Sequence, residues 1–440
     1  MNDQTHLGFT HDGHPISIPQ RVRVWHTAIL GATGVGKSTL IENMVAQDMA
    51  RGDGILLLDP HGPLATKSIE LVPPERTNHV CLFDPGDREF PIGWNPLDER
   101  DPLLHAKIAS GVTTAIKWLW PDSWGPRLEN LLCFGAETLL ATPGASFAQL
   151  HRLISDDDYR ERCINFVHNT TTRNFWHNDY ATWSEQEKRE ARAPVMNKIN
   201  QFLFFPEILH VLAQPSSTLR LDVAMAKRRI IIANLAKGTT SDAVAYLIGS
   251  LLLSRALAVG FARANAPLPL APAFHIYVDE AQAFAPKILR SIITDARKLN
   301  ISLTLATQSL SELDDGVRAA IMANVGTRVC FQLSPDDAAL FAPLLNREHQ
   351  TFNPHRLTQL GVGEAYVKMR GEHGGDAHHL FTQPSPERRS DPENVRKQSR
   401  QHYARARDTV AAYIARVTSH GQLKVKSRWV RTTKRTSRRA

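Results

Sequence analysis

One eight-residue stretch restricts the fold of this chain more than any other part. Residues 31–38 read GATGVGKS and fit the pattern G-x-x-x-x-G-K-[ST], in which backbone N–H groups of a glycine-rich loop cradle phosphates. Glycine allows this inward-facing backbone because it has no Cβ atom. The apolar run 23–30 predicts a buried strand before the loop, and the apolar spacing over 38–49 predicts a helix after it. This order predicts a phosphate-binding loop, with a chance glycine-rich turn as the alternative.

The residues of this loop have separate expected roles. Lys37 would place a positive charge at the β- and γ-phosphates of ATP, and the Ser38 hydroxyl would ligate Mg²⁺. ATP and Mg²⁺ are therefore the expected cofactors. The residues expected to bind the nucleotide are Gly31, Ala32, Thr33, Gly34, Val35, Gly36, Lys37, Ser38 and Thr39.

A second motif lies far along the chain. Residues 274–278 form an apolar and aromatic run that ends in Asp279 and Glu280. An Asp-Glu pair at a strand end is unspecific alone, but after a phosphate-binding loop it indicates a Walker B strand. Asp279 is then expected to hold Mg²⁺ through a water molecule. Glu280 is expected to polarise the attacking water, because a carboxylate beside the γ-phosphate can accept its proton. The two motifs together predict an ATPase.

Two further polar residues complete the candidate catalytic set. Gln308 ends the apolar run 301–307, from which its amide could sense the γ-phosphate. Arg297 ends a predicted helix over 285–298, where it could reach a neighbouring subunit's nucleotide as an arginine finger. An ordinary positive charge at a helix C-terminus explains the position of Arg297 equally well. Arg328 is a weaker candidate for a second sensor.

The apolar runs also predict the architecture. Runs at 54–58 and 80–83 stop at acidic turns, as buried parallel strands do at the ligand edge of an α/β sheet. Between 101 and 214 only helical patterns occur. We therefore predict an α/β fold with a central, mostly parallel sheet, in which 1–100 and 215–385 form a motor domain, 101–214 form an all-α insertion, and 386–440 form a basic helical or disordered tail.

Two details near the end of the motor domain are also predicted. The run 361–368 is interpreted as a last edge strand. His373, His378 and His379 lack the regular spacing of metal ligands and are expected in a solvated loop.

Positive charge is concentrated at the C-terminus. The chain of 440 residues has a net charge of +8, but residues 386–440 contain 16 Lys and Arg against 4 Asp and Glu, a net of +12. Residues 1–385 therefore have a net charge of −4. A tail of this kind suits a polyanion such as nucleic acid, and a solvated end without a dedicated partner is the alternative.

The sequence also bears on the compartment. Residues 1–11 contain no apolar signal region, and the four cysteines form no C-x-x-C pair, so a reducing, cytoplasmic location is expected. The apolar run 243–262 has the length of a membrane span. Arg255 lies in its C-terminal half, where burial in lipid is costly, so a core helix is expected.

These residues resemble the HerA/FtsK superfamily of P-loop motors, in the TraG/TraD-like branch of type IV secretion coupling ATPases. The resemblance covers about residues 6–415. The stretches that carry it are HTAILGATGVGKST at 26–39, LLLDPHG at 56–62, WNPL at 94–97, WGPRLENLL at 124–132, IIANLAKG at 231–238, YVDEAQ at 277–282, ARKLNISLTLATQ at 296–308, NVGTRVCFQLSPDDA at 324–338 and SRQHYARARDTV at 399–410.

The resemblance implies a RecA-like P-loop ATPase that assembles as a ring, usually a hexamer, and pumps DNA through a central channel. It matches Lys37 and Ser38 to the phosphate and Mg²⁺ ligands, Gln308 to a motif-III glutamine and Arg297 to a trans-acting arginine. The all-α insertion is similar to the helical domain at one mouth of that channel.

The expected function is therefore an ATP-driven DNA translocase in DNA transfer or processing. The alternative is a regulatory or protein-handling ATPase that gates a partner complex without moving DNA. Membrane-bound coupling proteins begin with transmembrane helices, whereas this sequence starts almost at the motor domain. We therefore expect no transmembrane segment of its own, DNA as a partner, and a membrane, relaxase or nuclease protein as a further partner.

Overall fold

The framework of the protein is an eleven-stranded sheet in a computed structural model that describes residues 3–236, 241–264, 273–346, 351–370 and 377–418. The strands are β1 (Gln4–Phe9), β2 (Pro15–Pro19), β3 (Thr27–Leu30), β4 (Gly54–Asp59), β5 (Val80–Phe83), β6 (Ile230–Asn234), β7 (Phe274–Val278), β8 (Ile301–Thr307), β9 (Thr327–Cys330), β10 (Glu364–Met369) and β11 (Ala377–Thr382).

The sheet is parallel through its centre and antiparallel at one side. Its order is β2-β1-β11-β10-β9-β3-β8-β7-β4-β6-β5. The strands from β9 to β5 pair in parallel, and those from β9 to β2 pair antiparallel. Every residue of β4 and β8 is buried, because helices cover both faces of a parallel sheet. The prediction of a mostly parallel α/β sheet is confirmed.

Helices fill the connections between the strands. Those before β6 are α1 (Gln20–Arg23), α2 (Lys37–Arg51), α3 (Pro63–Glu70), α4 (His105–Leu119), α5 (Pro126–Ala141), α6 (Leu150–Ser155), α7 (Asp157–Ile164), α8 (Thr170–Asn174), α9 (Glu185–Leu203), α10 (Pro206–Leu212) and α11 (Leu221–Ala226). Those after β6 are α12 (Asp242–Ala264), α13 (Pro286–Asp295), α14 (Asp315–Asn324), α15 (Pro335–Phe341), α16 (His355–Thr358), α17 (Pro392–Tyr403) and α18 (Arg407–Thr418).

The connection from β5 to β6 contains α4 to α11 and no strand among its residues, all of which the structure describes. Aromatic side chains form part of its core: the Phe175 ring lies 4.3 Å from Phe134, 5.0 Å from Trp176 and 6.2 Å from Trp183, centroid to centroid. These rings pack against one another inside the helical segment.

Among the described helices, α12 alone is long and apolar enough to cross a membrane, and 72% of its most apolar window is buried inside the protein. A Cβ atom on Gly249 would lie 2.1 Å from the Phe284 ring, so α12 is in close contact with the segment between β7 and α13. Arg255 forms an ion pair with Glu99 and bonds to the Asp98 carbonyl oxygen at 3.2 Å. These contacts are those of a core helix, as predicted.

The entry to β3 differs from the predicted strand over 23–30. Gln20–Arg23 is a short helix, and the strand starts only after it. The buried Arg23 guanidinium donates to Asp48 at 3.1 Å and to the Tyr277 hydroxyl at 2.9 Å. Because a buried charge needs such partners, these contacts on α2 and β7 hold the segment outside the sheet.

Two predictions about the end of the motor domain are wrong. The run 361–368 contributes β10, which is flanked by β9 and β11, so it is not an edge strand. His378 and His379 lie on β11 and not in a loop, while His373 lies outside the described residues. The His379 ring stacks on Tyr366 at 4.9 Å, a cross-strand contact that the spacing of the histidines did not reveal.

The first part of the predicted tail is helical. On α17 the Ser399 hydroxyl accepts a hydrogen bond from the Leu82 N–H of β5 at 2.8 Å. On α18, Val410 and Ile414 are buried in a small apolar cluster with Ala148 and Ala213. Residues 419–440, which complete the tail, lie outside the described residues.

Candidate nucleotide-binding site

The glycine-rich loop lies at the carboxyl end of β3, between the ends of β8 and β9. Gly31 N–H donates to the Thr307 carbonyl at 3.3 Å, and Ala32 N–H donates to the Gln332 carbonyl at 2.9 Å. On its outer side, the Val35 carbonyl accepts from Gly363 N–H at 2.9 Å. The loop is thus fixed by the last residue of β8, by the segment after β9 and by the turn before β10.

Glycine is required in the loop for its backbone conformation and for close packing, as Gly36 and Gly31 show. Gly36 has φ +116°, a left-handed conformation that side chains disfavour. A Cβ atom on Gly31 would lie 2.6 Å from the Phe331 Cβ, closer than two non-bonded carbon atoms can approach. Gly36 also precedes α2, a helix of 15 residues whose N-terminal N–H groups and dipole favour an anion at the loop.

Lys37 lies within the loop and is 7% exposed. Its ammonium group donates to the Gly31 carbonyl at 2.6 Å and to the Ala32 carbonyl at 2.9 Å. Burial lowers the pKa of Lys37, and the nearby carboxylates of Glu280 and Asp279 oppose that shift. The predicted phosphate-binding cation and the predicted Walker B acids therefore share one electrostatic environment.

The end of β7 concentrates negative charge. Burial, together with the charges of Asp59 and Glu280, raises the pKa of Asp279 to about 7. Asp59 ends the neighbouring strand β4, and its two carboxylate oxygens accept from the N–H groups of His61 and Ala65, each at 2.8 Å. A buried carboxylate held beside two other acids fits a hard divalent cation such as Mg²⁺, which would compensate the charge.

Gln308 joins the glycine-rich loop to Glu280. Its side-chain N–H donates to Glu280 Oε1 at 3.0 Å, and its carbonyl oxygen accepts from the Thr33 hydroxyl at 3.0 Å. A second amide, that of Gln282, donates to the other oxygen of Glu280. Glu280 has φ +49°, a strained conformation for a residue with a side chain. The strain and the two amides fix the direction of this carboxylate.

Arg297 lies at the amino ends of the parallel strands, whereas the glycine-rich loop lies at their carboxyl ends. The helix predicted over 285–298 ends at Asp295, and Arg297 sits in the short 3₁₀ turn before β8. β8 has seven residues, so at about 3.3 Å per residue its two ends lie about 20 Å apart. Arg297 is therefore far from the glycine-rich loop of its own chain. Its guanidinium carbon lies 3.0 Å from the centroid of the Trp25 ring.

Arg328, the weaker sensor candidate, is committed elsewhere. Its guanidinium donates to the carbonyl oxygens of Ile321 and Met322 at 3.2 and 2.7 Å, in the last turns of α14. This is the ordinary role of a cation near a helix C-terminus. The structure therefore gives Arg328 a place different from that expected for a nucleotide sensor.

Three residues near the site were not assigned from the sequence. Asp59 could have been found from the sequence, because it is an acid at the end of an apolar strand, but it was not assigned to the site. Gln282 follows Glu280 by two positions and orients it. Glu312 lies in a short 3₁₀ turn after β8, where burial and the charge of Glu280 raise its pKa. No sequence pattern singles out Glu312, because only the fold brings it near Lys37.

Two family models match the sequence. The model "Helicase HerA, central domain" matches residues 9–125, which contain the glycine-rich loop. The model "TraM recognition site of TraD and TraG" matches residues 273–346, which contain Glu280, Arg297 and Gln308. Both matches confirm the resemblance to HerA/FtsK-type coupling ATPases. A sequence comparison with curated proteins finds no match.

Similar folds occur among solved structures. The bacterial conjugative coupling protein TrwBdeltaN70 in its unbound form is 16% identical, with a TM-score of 0.60 over 88% of this chain and 90% of that one. TrwB in complex with ADP and Mg²⁺ is 17% identical, with a TM-score of 0.62 over 88% and 91%. VirB4 of Thermoanaerobacter pseudethanolicus is 14% identical, with a TM-score of 0.61 over 88% and 98%. At these identities the likeness shows the fold, which is that of a RecA-like P-loop NTPase.

Proposed function

We propose that this P-loop NTPase hydrolyses ATP with Mg²⁺ and uses the energy to move DNA in a process related to type IV secretion. The observation that carries the ATPase proposal is the bridge by which Gln308 connects Thr33 of the glycine-rich loop to Glu280. It links the residue expected to activate water to the loop expected to hold the phosphates. A change at the γ-phosphate would therefore reach Glu280 and β8 directly.

The residues divide the chemistry among themselves. Lys37 and the N–H groups of the loop bind the phosphates. Ser38 and Asp279 would hold Mg²⁺, which would neutralise charge on the phosphate oxygens. Glu280 orients the attacking water and accepts its proton. Arg297 completes the site from a second copy of the chain, because it lies at the far end of β8 from its own loop.

Several observations support DNA as the cargo. TrwB, which shares the fold, is described as a conjugative and plasmid coupling protein. The C-terminal 55 residues carry a net charge of +12, which suits a phosphate backbone. We propose a hexameric ring in the cytoplasm, built from the motor parts 1–100 and 215–385, the all-α part 101–214 and the tail 386–440.

The test combines two measurements. ATP hydrolysis is followed with and without single- and double-stranded DNA, and movement is followed by displacement of a strand or a bound protein from the DNA. Glu280→Gln should bind ATP but lower kcat by about a hundredfold or more, since it removes the general base. Lys37→Ala should lose both binding and hydrolysis. Nucleotide-dependent ring formation is checked by native mass spectrometry.

One observation favours a second candidate function. The matched segment 273–346 is described in TraD and TraG as a recognition site for another protein, TraM. A regulatory ATPase that gates a partner protein would use the same nucleotide site. Hydrolysis that no form of DNA stimulates, together with no displacement activity, would contradict the translocase and favour this alternative.

A further inference from the structure

Three segments that are distant in sequence meet at the amino edge of the parallel strands. Trp25 lies two residues before β3, Arg297 precedes β8, and Arg370 directly follows β10. Since β10 runs antiparallel to β9, its carboxyl end lies at the same edge as the start of β3. Gly326 closes the arrangement: its N–H donates to the Trp25 carbonyl at 2.6 Å, and its carbonyl accepts from Arg370 N–H at 2.8 Å.

The two arginine side chains share one indole ring. The guanidinium carbons of Arg297 and Arg370 lie 3.0 and 3.7 Å from the centroid of the Trp25 ring. Both arginines are exposed, and Trp25 is half-buried. An indole face attracts a guanidinium and limits its motion, so that less conformational freedom remains to be lost when the guanidinium binds a ligand.

Neither arginine has an acidic partner in the part of the chain that the structure describes. Within the part of the chain that the structure describes, no carboxylate forms an ion pair with Arg297 or Arg370. Elsewhere in the protein, exposed arginines such as Arg127 and Arg220 do pair with acids. Two adjacent positive charges with no carboxylate partner among the described residues are complementary to a multivalent anion, and guanidinium groups bind phosphate oxygens in pairs.

We infer that Trp25, Arg297 and Arg370 form one platform that binds the polyphosphate of the nucleotide held by a second copy of this chain. Trp25 is a positioning residue, and Arg370 supplies a second positive charge beside Arg297. This inference rests on the proposed function, in which Arg297 acts between copies. It adds two residues, Trp25 and Arg370, to the proposed site. It also explains how Arg297 is held in place, by the Trp25 ring.

The first test measures DNA-free ATP hydrolysis by the full chain. Trp25→Leu should lower kcat about tenfold while KM changes less than about twofold, since positioning acts on the reaction more than on binding. Trp25→Phe, which keeps an aromatic face, should restore most of the rate. Arg370→Ala should lower kcat/KM about tenfold.

Trp183→Leu is the matched control. Trp183 is also half-buried, and the guanidinium carbon of Arg127 lies 5.5 Å from the centroid of its ring. The rate of ATP hydrolysis by this variant should not change.

The second test separates positioning from a general loss of structure. Trp25→Leu combined with Arg297→Ala should be no slower than Arg297→Ala alone, because the platform then has no finger to hold. Mixing Trp25→Leu copies with Lys37→Ala copies should raise the rate, since an intact platform on the inactive copy serves its neighbour. Additive losses, or a rate that mixing leaves unchanged, would overturn the inference.

The remaining outcomes identify which proposal has failed. If Arg297→Ala keeps the wild-type kcat, the proposed hydrolysis between copies is wrong. If Arg297→Ala is inactive but Trp25→Leu and Arg370→Ala keep wild-type kinetics, only the platform is wrong. If these two variants weaken DNA binding and leave DNA-free kinetics unchanged, the arginines bind DNA phosphates, which also overturns the inference.

Discussion

The two edges of the parallel strands differ in how their polar groups are satisfied. At the carboxyl edge, Lys37 bonds to loop carbonyls and Glu280 accepts from two glutamine amides. At the amino edge, Arg297 and Arg370 are exposed on an indole ring and have no carboxylate partner among the described residues. One edge has the acids to which we assign catalysis, and the other has cations that no carboxylate neutralises among the described residues. The comparison suggests two complementary halves of one site, which a single copy of the chain cannot bring together.

Arg297→Ala tests this comparison with the largest expected effect. An arginine finger contributes about 10³-fold or more to kcat, so the variant should lose about 4 kcal/mol of transition-state stabilisation. Steady-state ATPase assays measure the loss. If the finger acts between copies, as we propose, mixing Arg297→Ala with Lys37→Ala should restore measurable turnover from two inactive proteins. A wild-type rate for Arg297→Ala, or a monomer with full activity, would show that the carboxyl edge is complete alone.

The second prediction concerns His26, which lies buried beneath the amino edge. Burial, with a smaller contribution from the charge of Arg297, lowers the pKa of His26 to about 4. Its Nδ1 also accepts a hydrogen bond from Leu303 N–H at 3.0 Å, which protonation of that nitrogen would break. The unfolded chain, with the ordinary histidine pKa of about 6.5, therefore binds a proton more readily than the folded protein.

The sign of the pH effect follows. The stabilisation from neutral His26 is complete above about pH 6.5 and is lost as the pH falls towards 4, by up to about 3 kcal/mol. Urea unfolding at several pH values measures this loss. His26→Asn should remove that share of the pH dependence, and asparagine tolerates the left-handed backbone at this position, φ +68°. An unchanged pH dependence in the variant would contradict the assignment.

The third prediction tests the network at the carboxyl edge. Gln308→Ala removes the amide that connects Thr33 with Glu280, a hydrogen bond to a charged group worth about 2 kcal/mol. We therefore expect kcat to fall by about thirtyfold while ATP affinity is retained. Gln308→Glu should be worse, because a second carboxylate would repel Glu280. A larger loss of binding than of turnover would mean that Gln308 holds the loop and does not direct Glu280.

The sequence predicted the carboxyl edge better than the amino edge, for a physical reason. Lys37, Asp279, Glu280 and Gln308 each follow an apolar strand, and parallel strands place their carboxyl ends at one edge, so local patterns indicated which residues lie together. Trp25 and Arg370 lie in no motif, and only the strand order joins them to Arg297. No local pattern encodes such a long-range contact.

Backbone details were also hidden from sequence patterns. The left-handed residues His26 and Glu280 stand where the apolar pattern predicted a strand or a strand end. β11 was missed because its buried residues, Ala377 and Leu380, are three positions apart and not two, and its pairing with β10 supplies what the pattern lacks. In each case a tertiary contact outweighed the local preference.

The smallest expected effect concerns the positive charge of the C-terminal tail. Residues 421–440 contain eight Lys and Arg and no Asp or Glu. Their removal should weaken DNA binding by about threefold to fivefold near physiological salt, and by more at low salt, because fewer counterions are released from the DNA. Fluorescence anisotropy across a salt series measures the change, with DNA-free kcat as the control that should stay constant. A salt dependence identical to that of the full chain would show that the tail is not a DNA contact, and would leave the sheet edges and helical segment to supply the phosphate-binding surface.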